Sequence, residues 1–338
     1  MISIILAAGK GTRMGATDRP KVCLDVAGVP VILRALETFT RCGVAHHVIV
    51  VGDRAEQVAA TVCGRFPQAI FAFEHELRGT GCAARCGASV LDAFGYAGDV
   101  LVAVGDKVIE EQALREQLDL FGTSAADLCF MVGARDDSPE AGRIVENNAG
   151  RILANVEVGD IARARLIGRW FEQSRSQPLE RDALRAEMLE AFLTERKACR
   201  AMPNLWRLLD ERATIGAADL ASCFSPDEAF FQFDLDGGGV LRLSADELER
   251  RARWVNLSVY CFRMEALRYA LERLATANAQ GEEYLTDAIG LLHAACTADG
   301  RPRFRVVPYP IKKATDALAF NTPDELEAIR DYYRRKTA

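Results

Sequence analysis

Five short apolar runs limit what this chain can fold into: Ile4-Ile5-Leu6, Val48-Ile49-Val50-Val51, Ala69-Ile70-Phe71-Ala72-Phe73, Val100 to Val104 and Leu128 to Val132. Each is shorter than a helix and lacks polar alternation, so each reads as a strand buried on both faces. The stretches between them carry helical spacing. Val31, Leu33, Leu36 and Phe39 predict a helix over residues 31–42, another runs to Arg65, and a third covers 80–94. Strands alternating with helices predict an α/β, Rossmann-like three-layer fold on a mainly parallel sheet. Ligands of such sheets bind beyond the carboxyl ends of the strands. The residues after the first, third and fourth runs are therefore the candidate site.

After the first run come Ala7, Ala8, Gly9, Lys10, Gly11, Thr12, Arg13, Met14 and Gly15, with Pro20-Lys21 close behind. Glycine and alanine let backbone amides approach a ligand, and Lys10, Arg13 and Lys21 add fixed cations, a combination suited to phosphate. The spacing is neither G-x-G-x-x-G nor a Walker A loop. Gly105-Asp106-Lys107 follows the fourth run. Asp106 there is a ligand for a divalent cation or an N-cap, and the dipeptide alone leaves both open. Gly79-Thr80-Gly81 opens the helix after the third run, which as a bare helix start needs no function.

The segment Leu6 to Met14 with Pro20-Lys21 resembles the L-A-A-G-x-G-T-R-M…P-K signature of sugar-1-phosphate nucleotidyltransferases, most nearly their N-acetylglucosamine-1-phosphate uridylyltransferase branch. The resemblance implies transfer of a nucleotidyl group from an NTP, with UTP first, to a sugar 1-phosphate, releasing pyrophosphate. It implies catalytic roles for Arg13 and Lys21, and nucleotide contacts from Leu6, Ala7, Ala8, Gly9, Gly11, Thr12, Glu74, Gly79 and Thr80. Mg²⁺ would sit on Asp106 and Asn321. Two residues depart from the pattern: Cys82 replaces a histidine, and Glu74 stands where the family has a glutamine that pairs with uracil. An ionised carboxylate only accepts hydrogen bonds, which suits the amino group of cytosine better than the O4 of uracil. Lys107 is a third departure.

Gly142-Arg143-Ile144-Val145 and Arg151 to Glu157 flank an Asn/Gly turn and read as a hairpin. It resembles the family's sugar-binding hairpin, so Gly142 and Glu157 carry over as sugar contacts. Asn256 matches the family's next sugar-binding asparagine, although Leu257 and Ser258 replace Thr and Gly. Between them lies an insertion, residues 161–250, with helical spacing at Leu184, Met188, Leu189 and Phe192. Asp234 to Gly239 resembles the start of an EF-hand calcium loop preceded by a helix-like run, but Gly238 and Ala245 occupy ligand positions. A non-binding turn before a helix capped by Ser244 and Glu247 is the better reading. The expected organisation is a catalytic domain over 1–160 and 251–338 with a mostly helical insertion subdomain. Near the end, Arg303 to Val307 reads as a strand. Thr322, Pro323 and Glu325 then start a terminal helix.

The 338 residues carry a net charge of −6 and no long basic block, which argues against nucleic acid as a partner. The ten cysteines show no paired spacing, so neither a zinc site nor a disulfide framework is expected, and a reducing cytoplasm is. No run reaches membrane-spanning length, and no leader or hexapeptide repeat is expected. The partners implied are an NTP and a sugar 1-phosphate, with homo-oligomerisation left open. Two other readings stand beside this one. The chain could be a cytidylyltransferase or act on another phosphorylated acceptor such as phosphocholine, or it could be a catalytically silent nucleotide-sugar-binding regulator.

Overall fold

The structure, a computed structural model, describes residues 1–9, 11, 14, 18–235 and 238–337. The chain forms two compact units. One holds Met1–Asp137, Asn256–Leu274 and Glu283–Ala338; the other holds Ser138–Val255 and Ala275–Glu282.

The first unit is built on a mixed, mostly parallel sheet. Its strands lie in the order Val306–Pro310, Leu128–Ala134, Trp254–Arg263, Asp99–Val104, Ile2–Ala7, His46–Val51, Ile70–Phe73. The five apolar runs are all strands of this sheet. Ile2–Ala7 lies centrally, with Ile5 parallel to both Ile49 and Ala103. Ile4 and Ile5 have no exposed surface, which is why a continuous apolar run is needed there. Trp254–Arg263 runs antiparallel to Asp99–Val104, with Tyr260 opposite Val102. The late strand occupies Val306–Pro310 and pairs in parallel with Leu128–Ala134, three residues beyond the expected start. Thr80–Ala93 packs on Ile2–Ala7 and His46–Val51. Its Gly87 lies so close to Ile4 that a Cβ would fall 2.4 Å from Cγ2.

Among its described residues the second unit has two hydrophobic clusters. The larger gathers Trp170, Leu184, Met188, Phe192, Leu205, Leu209 and Leu220 from the helices of the inserted segment. The smaller joins Val145, Leu153 and Val156 of the hairpin to Ile161, Ala164, Leu243, Ala245 and Leu248. The inserted segment is not wholly helical. Phe230–Asp234 and Val240–Ser244 pair as an antiparallel hairpin, with Phe231 opposite Leu243. The helix-like run expected before the EF-hand-like loop is thus a strand. Its aromatics alternate in burial, and Phe231 and Phe233 pack on the smaller cluster. Leu235 and Gly238 lie in the turn of this hairpin, while Asp236 and Gly237 lie outside the described residues. Ser244 does cap the helix Ala245–Arg251, in a reciprocal box with Glu247.

Candidate active site

The first strand delivers its loop between two neighbours. Beyond Leu6, the Gly105 N–H donates to Leu6 O at 2.8 Å and the Asp53 N–H to Ala8 O at 3.4 Å. Ala7, Ala8 and Gly9 therefore leave the sheet between the ends of two parallel strands. Gly11 has φ +61°, and a Cβ on it would come 3.0 Å from Lys21 Cβ, so only glycine fits both the turn and the close approach. Met14 is buried against Val26, Val108 and Phe320 and anchors the far side of the loop. Lys10, Thr12, Arg13 and Gly15 lie outside the described residues.

Lys21, Asp106 and Asn321 come together. The Lys21 ammonium is ion-paired with the Asp106 carboxylate, donates to Asn321 Oδ1 at 3.1 Å and stands 5.0 Å above the Phe320 ring. The backbone explains how Asn321 arrives. Ala317–Ala319 pairs antiparallel with Lys107–Ile109, with Ala319 opposite Lys107, so the next residues pass beside Asp106. Phe320 is fully buried. Thr322 Oγ1 accepts from the Glu325 N–H at 3.3 Å, while the Glu325 carboxylate accepts from the Asn321 and Thr322 N–H groups. This is the expected capping box, and it fixes the Asn321 backbone. The Lys107 ammonium is held below its usual pKa by burial and by Lys21, with Asp106 opposing. Two oxygen donors facing one positive centre suit a hard divalent cation as well as an ammonium.

At the end of Ile70–Phe73, Glu74 is 6% exposed. Burial, together with the Glu74 carboxylate, pushes the Cys82 thiol pKa up. The two departures in this segment therefore influence each other electrostatically. Gly79 precedes the helix with φ 110°. Thr80 Oγ1 accepts from the Leu285 N–H at 3.0 Å, and the Gly81 N–H donates to Glu283 O at 2.8 Å. The helix start is thus pinned to residues 283–285, and the Thr80 hydroxyl proton is left to donate elsewhere. Asn256 is buried. Its Oδ1 accepts from the Ser258 N–H at 2.9 Å and its Nδ2 donates to the Tyr260 hydroxyl at 2.8 Å. These bonds hold a kink at Ser258, whose φ is 57°.

In the second unit, Arg143–Glu146 and Ile152–Val156 form the expected hairpin, with Val156 opposite Arg143. That register sets Gly142 beside Glu157. A Cβ on Gly142 would lie 2.6 Å from the Asn155 amide, whose Nδ2 donates to Glu157 Oε1 at 2.9 Å. Asn155, which the sequence does not single out, thus touches both expected sugar contacts. Asp160 accepts from the Ala279 N–H at 2.6 Å, and its pKa is pushed up to about 6, mainly by burial and further by Glu157.

The family description "MobA-like NTP transferase domain" matches residues 3–214. The chain is 35% identical over 161 residues to the bifunctional protein GlmU of Geobacter metallireducens, covering 47% of this chain and 33% of that protein. It is 28% identical over 296 residues to GlmU of Mycolicibacterium gilvum, covering 86% of this chain and 42% of that one. The chain thus spans less than half the length of these two relatives. A solved UDP-glucose pyrophosphorylase complexed with UDP-glucose shares the fold, with a TM-score of 0.56 at 13% identity, covering 99% of this chain and 100% of that one. With the matched segment spanning more than half of its length, the chain belongs to the family of MobA-like NTP transferase domains.

Proposed function

We propose that this chain transfers a nucleotidyl group from an NTP to a sugar 1-phosphate, giving an NDP-sugar and pyrophosphate. UTP and N-acetylglucosamine 1-phosphate are the first pair to test. The observation that carries the reading is the convergence of Lys21, Asp106 and Asn321 beside the Gly9–Gly11 loop. A phosphate monoester has a second pKa near ~6, so the acceptor is largely a dianion at neutral pH and needs no general base. The work left is alignment and charge neutralisation for in-line attack on the α-phosphorus. In this reading the amides of Ala8 to Gly11 and the Arg13 side chain hold the leaving pyrophosphate. Lys21 offsets charge on the α-phosphate, and Gly79 and Thr80 face the nucleoside. Gly142, Glu157 and Asn256 hold the sugar. Asp106 and Asn321 would hold Mg²⁺, which supplies charge neutralisation of the reacting phosphates when bound. A reducing cytoplasmic setting belongs to the same reading, supported by ten free cysteines.

One observation favours a second nucleotide. By the family resemblance Glu74 takes the place of a uracil-pairing glutamine, and its buried carboxylate offers only acceptors where uracil O4 would need a donor. CTP is therefore the other nucleotide to test. Pyrophosphate release would be measured with Mg²⁺ for UTP, CTP, GTP and dTTP. Each would be paired with a panel of sugar 1-phosphates, including N-acetylglucosamine 1-phosphate, and with phosphocholine. Release with one sugar 1-phosphate supports the reading and fixes the base. Release only with phosphocholine moves the acceptor class. Nucleotide binding without release from any pair favours an acceptor outside the panel or a silent regulator over the proposed reaction.

A further inference from the structure

The hairpin that carries Gly142 and Glu157 is clamped by the end of the inserted segment. The Arg143 side chain is 7% exposed and reaches Glu249 with Nε at 2.9 Å. Nη2 adds a contact of 3.3 Å to the same carboxylate, and Nη1 donates to Pro139 O at 2.9 Å and Ala141 O at 2.5 Å. One guanidinium therefore ties the turn ahead of Gly142 to the helix Ala245–Arg251. Planar, two-pronged pairing of this kind fixes orientation as well as distance. The link is repeated along the hairpin. Arg253 pairs with Glu146 at 3.0 Å, and Arg251 Nη2 donates to Asn148 Oδ1 at 2.7 Å. On the opposite strand Asn155 fills the space beside Gly142 and holds Glu157.

We propose that Glu249, acting through Arg143, is a positioning residue for the acceptor, and that the inserted segment is a fixed brace for the acceptor hairpin. The inference rests on Gly142 and Glu157 being acceptor contacts. Glu249 itself touches no substrate. It holds residues 139–142 in the register that sets Gly142 beside Glu157. Loss of the clamp would let that turn shift, and small misplacements of a substrate-holding group cost binding out of proportion to their size.

The test is steady-state pyrophosphate release with UTP and N-acetylglucosamine 1-phosphate. Glu249→Ala is expected to raise the acceptor KM about tenfold, with kcat and the KM for UTP unchanged. Glu249→Gln, which keeps one hydrogen bond, should recover part of the loss. Removing one member of a buried pair can also unfold a protein, so the paired replacement Arg143→Met with Glu249→Leu is measured beside it. It should keep the wild-type Tm and still show the raised KM. An unchanged acceptor KM in the paired variant, with Glu157→Gln raising it, would overturn the role of Glu249 alone. An unchanged KM in Glu157→Gln as well would overturn the acceptor assignment and this inference together, as would absence of turnover by the wild type.

Discussion

In the proposed reaction Lys21 would answer to both a nucleotide and a metal. Its ammonium is paired with Asp106 and bonded to Asn321, and its own Cβ fills the space left by Gly11. Asp106 keeps 23% of its side-chain surface exposed, so its removal should disturb the fold little. Asp106→Ala is expected to lose more than about 100-fold in pyrophosphate release while circular dichroism and Tm stay near wild type, since charge neutralisation of this kind is worth several kcal/mol. Near-normal turnover in that variant would remove Asp106 from the proposed site. Ser258 supports a different expectation. It holds φ 57° within a strand, a conformation that costs an L-residue about 1–2 kcal/mol and glycine almost nothing. Ser258→Gly should therefore stabilise the protein by about 1 kcal/mol in urea unfolding, offset in part by the freer unfolded chain.

Elements were legible in the sequence wherever one kind of burial ruled their whole length. The apolar runs at Ile4, Val48, Ala69, Val100 and Leu128 all became strands, four of them because a strand covered on both faces needs no polar residue; Ile70–Phe73 instead lies at the sheet edge and leaves Ile70 and Phe73 exposed, against the expectation of full burial. Thr322 with Glu325, and Ser244 with Glu247, marked two helix starts because capping is chemistry between near neighbours. Ser244→Ala should accordingly cost about 1 kcal/mol of unfolding free energy. The hairpin at Phe230–Ser244 was missed because its aromatics face a small cluster assembled from distant segments, so only every second residue is covered. The last sheet strand lies three residues later than expected, because Pro308 and Pro310 in Val306–Pro310 obscure an apolar run. At the site, the glycine-rich loop with its cations was readable from residue types, whereas Asp106 was singled out only by the family resemblance, because Gly-Asp alone fits a ligand and an N-cap equally. Asn155 and Glu249 were not: each is a common polar residue until its partner is known, and the partner of Glu249 lies 106 positions away.

At the scale of the whole molecule, His47 is a buried titratable group remote from the proposed chemistry. His47 is 4% exposed between Ser3 and Thr40. Thr40 gives its hydroxyl proton to Leu36 O at 2.8 Å, so Nε2 donates to Thr40 and Nδ1 accepts from Ser3, which is the neutral ring. Burial lowers its pKa from 6.5 to about 4. Between those values the unfolded chain binds the proton and the native state does not, so stability falls as pH drops through that window. The loss approaches about 3 kcal/mol at pH 4. Denaturant titrations at pH 7.5 and 4.5 should show it, and His47→Gln should remove that part of the pH dependence. The inserted segment supports a further whole-molecule expectation. Residues 161–250 share a hydrophobic cluster with Val145, Leu153 and Val156, so deleting them should leave the 142–157 hairpin open to limited proteolysis. The bond from Lys21 to Asn321 spans 300 residues. At roughly 5–20 residues per second, about 15 to 60 s pass during synthesis between the two partners. Lys21 therefore emerges long before the residue that completes its surroundings, and the constellation proposed for catalysis cannot close on a growing chain until Asn321 has been added. A nascent polypeptide that has not reached Asn321 carries most of the sheet, the glycine-rich loop and Asp106, yet it lacks the amide oxygen that completes the surroundings of that lysine.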